Sequence, residues 1–90
     1  MERNLVIIKV FAELKDLIGR NQLKVNLEKD TNLVEFMESL LIEIPAFSSI
    51  IEQANLRYKF YLNGELLENI SSSVIKASDE LVIIPPVGGG

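Results

Sequence analysis

Ninety residues carry no cysteine, no histidine and no tryptophan, with thirteen acids against nine bases. A chain of this length makes one domain, and the missing residue types exclude a disulfide framework, a thiolate metal site, a cysteine nucleophile and the commonest general base. A net charge of −4 weighs against a nucleic-acid footprint, while 48% hydrophobic residues predict a compact globule rather than disorder.

Leu5–Phe11 is rich in β-branched and aromatic residues and reads as a first strand, with Val6, Ile8 and Val10 facing the core. Ala12–Asn21 reads as a connection containing one helical turn. Gln22–Glu28 alternates, with Leu23, Val25 and Leu27 on one side, and predicts a half-buried strand that forms a hairpin with the first. Asp30-Thr31-Asn32 is a helix-start cluster, in which Asn32 with Glu35 resembles a capping box and Thr31 is the other candidate cap.

Leu33, Phe36, Met37, Leu40, Leu41 and Ile44 then recur at three- and four-residue steps, predicting one main helix that Pro45 ends. Ala46–Ala54 is expected to hold a shorter helical piece with Phe47, Ile50 and Ile51 inward. Asp30 to Leu56 carries five acids and no Lys or Arg, which reads as a solvated helix face. Glu35, Glu38 and Glu43 are too widely spread for a metal site.

Arg57–Leu62 reads as a third strand, with Tyr58, Phe60 and Leu62 inward. Asn63-Gly64 is a hairpin-turn signal, Glu65–Glu68 a short return strand, and Ser71-Ser72-Ser73 a polar loop. Ala77-Ser78-Asp79-Glu80 reads as a turn and Leu81–Ile84 as the last strand, stopped by Pro85-Pro86. First and last strands that are purely apolar belong at the sheet centre. The order predicts an α+β fold: a β-grasp, ubiquitin-like, with a mixed four- to five-stranded sheet and one main helix packed across it. Residues 1–86 form the domain and residues 87–90 a flexible tail. No apolar run reaches the roughly 18 residues of a membrane span, and Met1-Glu2-Arg3-Asn4 leads straight into a strand, so the expected location is cytoplasmic, with no membrane or nucleic-acid partner.

Chemistry gathers at Pro85-Pro86-Val87-Gly88-Gly89-Gly90. The prolines favour a stiff, extended exit, and the glycines lack side chains. Four residues beyond Pro86 reach roughly 13–14 Å when extended, enough to carry the Gly90 carboxylate into another protein's narrow channel. A glycine carboxylate is also the least hindered acyl group a chain can offer. A frayed, inert terminus is the bland alternative.

Asp79-Glu80-Leu81-Val82-Ile83-Ile84-Pro85-Pro86-Val87-Gly88-Gly89-Gly90 resembles the C-terminus of the MoaD family. That family comprises the small subunits of molybdopterin synthase, ubiquitin-like sulfur carriers related to ThiS. Lys9-Val10-Phe11-Ala12-Glu13-Leu14 and Tyr61-Leu62-Asn63-Gly64-Glu65 are similar to it as well. The chain departs from the family in carrying three terminal glycines, and its helical middle is longer than in the shortest members, as in archaeal-type MoaD-like proteins, some of which act as protein modifiers.

The resemblance implies a carrier for molybdenum cofactor biosynthesis, without independent enzymatic activity. An adenylating enzyme of the ubiquitin-activating type (MoeB-like) would use ATP to convert the Gly90 carboxylate to an acyl-adenylate. A sulfur donor would then leave a thiocarboxylate. A molybdopterin synthase large subunit (MoaE-like) would receive the tail. No cofactor is expected to be bound by the carrier itself, since ATP and the sulfur donor belong to its partners. A modifier joined to lysines through Gly90, a thiamine-type sulfur carrier and a non-covalent ubiquitin-like domain remain as alternatives.

By strand parity, the sheet face away from the core holds Lys9, Phe11, Lys59, Tyr61, Val82 and Ile84. That face is too apolar for a purely solvated surface and is expected to bind partners. By resemblance, Phe11, Leu66 and Ile84 match the hydrophobic docking positions of the family. Lys9 and Lys59 are expected to add charge steering there.

Overall fold

The computed structural model describes residues 4–54 and 57–85. Strand β1, Leu5–Val10, alternates half-buried and buried residues, and Val6, Ile8 and Val10 are the inward set that its sequence predicts. Phe11 was expected inside the strand but lies beyond it. The cause is Ala12, whose φ of 53° and ψ of −129° break the extended path. Helix α1, Glu13–Ile18, follows and buries Leu14; Gly19 caps it in the left-handed conformation. Strand β2, Gln22–Asn26, then pairs antiparallel with β1, with Ile8 opposite Leu23.

Strand β3, Thr31–Asn32, leads into α2, Leu33–Glu38. Asn32 is the cap: its side-chain oxygen accepts from Val34 N–H at 2.9 Å and Glu35 N–H at 3.2 Å. The helix does not continue to Pro45. Ser39 Oγ donates to the Phe36 carbonyl at 2.6 Å, and the next amides reach back only three residues, Leu40 to Met37 at 3.0 Å and Leu41 to Glu38 at 3.2 Å. This side-chain competition and tightening end the α-helical ladder. The apolar stripe persists through the turns, since Leu40 is buried and Leu41 and Ile44 are half-buried. Helix α3, Phe47–Glu52, buries Phe47 and Ile50. The expected main helix is therefore a short helix followed by turns, while α3 forms within Ala46–Ala54, where the separate helical piece is expected.

Strand β4 is Lys59–Leu62, two residues shorter at its start than expected, with Phe60 buried and Tyr58 and Leu62 packed against the core. Asn63 and Gly64 turn the chain with φ of 51° and 88°, the consecutive positive values of a tight hairpin. Strand β5 is only Glu65–Leu66. The expected serine loop is a single 3-10 turn, Ile70–Ser72, and β6, Val74–Ile75, pairs with β3 in a small second sheet. Two-residue strands have no alternation to read, which is why the sequence concealed β3 and β6. Strand β7, Glu80–Ile84, takes in Glu80, which was assigned to the preceding turn.

The main sheet has the order β2-β1-β7-β4-β5. Strands β1 and β7 are its parallel central pair, and the other pairings are antiparallel. Leu81 and Ile83 of β7 join Val6, Ile8, Val10 and Phe60 beneath Leu33, Phe36, Met37, Phe47 and Ile50 in one apolar core. A mixed sheet with helical segments packed on one face is the β-grasp architecture.

Candidate functional site

The opposite sheet face is built by register. Lys9 stands beside Gln22 on one side and Val82 on the other; Val82 adjoins Tyr61, and Tyr61 adjoins Leu66. One row thus crosses all five strands, and three of its members (Val82, Tyr61, Leu66) are apolar or aromatic. Ile84 pairs with Lys59 in the neighbouring row. Phe11 follows Val10, whose partner is Ile83, so it extends the surface at the same end as Ile84. Leu66 and Phe11 are half exposed, at 50% and 49%. The structure therefore brings Lys9, Val82, Leu66, Ile84 and Lys59 onto one face, with Phe11 at its corner.

Lys9 is not a free cation on this face. Its Nζ lies 3.0 Å from Glu80 Oε2, both side chains about two-fifths exposed. A pair so exposed contributes at most about 1 kcal/mol, but it answers the charge that steering would use. Lys59 makes no ion pair among the described residues. This partnership was missed because Glu80 was read as part of a turn.

Pro85, expected to begin the exit from the sheet at the end of the 1–86 domain, is buried and continues the inward parity of Leu81 and Ile83. Pro86, Val87, Gly88, Gly89 and Gly90 lie outside the described residues. Because β7 runs parallel to β1, the chain leaves Pro85 at the end of the sheet marked by Phe11 and Ala12.

The described residues contain no buried polar or charged side chain and no group of acids able to hold a metal ion. No helix among them is long and apolar enough to cross a membrane. What they offer is a shaped apolar face beside the origin of the C-terminal segment, an arrangement suited to docking and presentation.

Comparison with known proteins agrees with that geometry. The sequence profile of the ThiS family matches residues 8–90. The molybdopterin synthase sulfur carrier subunit of Dictyostelium discoideum is 31% identical over 87 residues, covering 92% of this chain and 93% of that protein. The solution structure of small archaeal modifier protein 1 from Methanosarcina acetivorans superposes with a TM-score of 0.70 at 29% identity, over 96% of each chain. The complex of subunits 1 and 2 of molybdopterin-converting factor from Helicobacter pylori shares the fold, with a TM-score of 0.56 at 21% identity, covering 96% of this chain and 99% of that one. The chain belongs to the ThiS family, as a ubiquitin-like sulfur carrier of the ThiS/MoaD type.

Proposed function

We propose that this protein is the sulfur-carrying small subunit of a molybdopterin synthase, with residues 1–86 as its body and residues 87–90 as its working arm. The observation that carries the reading is the family match running through Gly90, joined to the parallel β1–β7 pair that sets the arm's origin beside the Phe11–Ile84 corner. The relative at 31% identity bears that subunit's name.

In the proposed cycle an adenylating enzyme of the MoeB-like type binds ATP. The Gly90 carboxylate attacks the α-phosphorus, pyrophosphate leaves, and an acyl-adenylate forms. A sulfur donor attacks the acyl carbon and AMP departs, leaving a thiocarboxylate. The arm then enters a MoaE-like large subunit, where the thiocarboxylate sulfur bonds to a carbon of a pterin precursor and water cleaves the acyl C–S bond, leaving the sulfur on the pterin and restoring the Gly90 carboxylate. Phe11, Val82, Leu66 and Ile84 supply the docking contacts, and Lys59 the open positive charge. Gly88 and Gly89 keep the arm slim, and Pro86 with Val87 sets its direction. The partners bring ATP and the sulfur donor, and the cytoplasm is the proposed site of action.

A second reading is favoured by the likeness to small archaeal modifier protein 1: activation at Gly90 is the same, but the acceptor is a lysine of another protein. Incubation with the activating enzyme, ATP and a sulfur source, followed by intact-mass measurement, tests the shared step. The expected result is exchange of one oxygen for sulfur at Gly90, lost when Gly90 is deleted or one residue is appended. Absence of any adenylate or thiocarboxylate overturns both readings. A ladder of denaturation-resistant adducts in cell extract selects the modifier.

A further inference from the structure

Among the described residues strand β2 ends the sheet on one side, with β1 as its one neighbour. The phase of the ladder is set at both ends: Val10 N–H donates to Asn21 O at 3.1 Å, and Leu27 N–H donates to Asn4 O at 2.7 Å. Bonds to β1 therefore come from Asn21, Leu23, Val25 and Leu27, so the backbone groups of Gln22, Lys24 and Asn26 point out of the sheet. On the core side of this edge Val25 is only half-buried, between buried Leu23 and Leu27. An apolar strip is left partly uncovered. On the other side Lys24 is exposed and makes no ion pair among the described residues.

Two depressions open beside this edge on that outer side. One, of about 420 Å³, is lined by Lys9, Lys15 and Gln22 among others; the second, of about 230 Å³, is lined by Lys24 with Leu5 and Ile7. Among the described residues no acidic side chain lines either. Glu80 answers Lys9, while Lys15 and Lys24 have no ion-pair partner among the described residues.

We propose that the open edge of β2 docks an extended segment of a partner protein in which acidic and apolar side chains alternate. The segment adds an antiparallel strand. Its backbone meets the outward groups of Gln22, Lys24 and Asn26, its acids lie over Lys24 on the outer face, and its apolar residues complete the cover of Val25. Successive residues of a strand point to opposite faces, and those two apart share a face at a spacing of about 6.7 Å, so both demands fall on one peptide. A second copy of this chain is a poor occupant. Antiparallel pairing about the midpoint of β2 sets Lys24 against Lys24, and like charges directly opposite are destabilising. The inference is independent of Gly90.

The probe is a short synthetic peptide of alternating Glu and Val, titrated into the full chain and followed by NMR. Shifts and slowed amide exchange are expected at Gln22, Lys24 and Asn26. Lys24→Glu is expected to weaken affinity about tenfold, while Lys29→Glu, beyond the strand, leaves it unchanged; unfolding midpoints establish that both variants are folded. A peptide N-methylated at its glutamates, whose amides face β2, loses binding. The proposal is overturned if the alternating peptide does not bind, if the N-methylated peptide binds equally well, or if the shifts fall on β5 or the helices. It is equally overturned if the chain alone sediments as a dimer with those three amides already protected.

Discussion

The side chain of Asn63 grips Asp79 across the end of the sheet. Its Nδ2 donates to Asp79 Oδ1 at 2.9 Å, while its Oδ1 accepts from Glu80 N–H at 2.9 Å. Asp79 Oδ2 in turn accepts from Lys76 N–H at 2.8 Å. One amide thus ties the β4–β5 hairpin to the turn that launches β7, the central strand of the sheet. Asn63→Gly keeps the positive φ but removes both contacts, with an expected loss of about 1 kcal/mol. Asn63→Asp replaces a donor by a second carboxylate facing Asp79, and a loss of about 1–3 kcal/mol is expected. Urea denaturation that ranks glycine at or below aspartate contradicts this assignment.

Ala12 holds a backbone conformation that suits glycine, with φ of 53°. Such positions cost a non-glycine residue about 1–3 kcal/mol. Ala12→Gly is expected to raise stability by about 1 kcal/mol even though glycine gains freedom in the unfolded chain, and Ala12→Val to lower it. Thermal unfolding of the two variants checks the sign.

Asn32 works twice, capping α2 through its oxygen and donating from Nδ2 to the Ser71 carbonyl at 2.8 Å. Asn32→Ala is expected to cost about 1–2 kcal/mol. Asn32→Asp retains the cap but loses the donor, and is expected to fall between the two in denaturant unfolding.

Leu66 is half exposed at one end of the cross-sheet row, whereas Ile42, 92% exposed, lies on the turn between the helices. Leu66→Glu is expected to weaken capture of the activating enzyme and the large subunit at least tenfold, a loss of about 1.4 kcal/mol, without changing the unfolding midpoint. Ile42→Glu serves as the control and is expected to do neither. Equal binding by wild type and Leu66→Glu removes Leu66 from the docking surface.

Much of this molecule could be read before any coordinates. Val6, Ile8 and Val10 alternate with partners of the opposite parity, and a period of two leaves little choice about which set is buried. Asn63-Gly64 announced its turn because few residue pairs tolerate consecutive positive φ. Other features were hidden. The spacing of Leu33 to Ile44 fits a continuous helix, yet Ser39 diverts a carbonyl and the same stripe is buried from turns. Pro85 looks like punctuation by composition and is buried by parity. At the candidate docking face, parity placed Val82, Ile84, Lys9 and Lys59 together, but the Glu80 partner of Lys9 was missed with the start of β7.

Local sterics and apolar periodicity act over a few residues. They assign faces, turns and element order. Which strands become neighbours depends instead on closing long loops and burying both central strands at once. That global packing made β1 and β7 parallel partners, brought Glu80 to Lys9, and left Lys24 on an open edge. Such pairings join residues from opposite ends of the chain, and no local pattern records them.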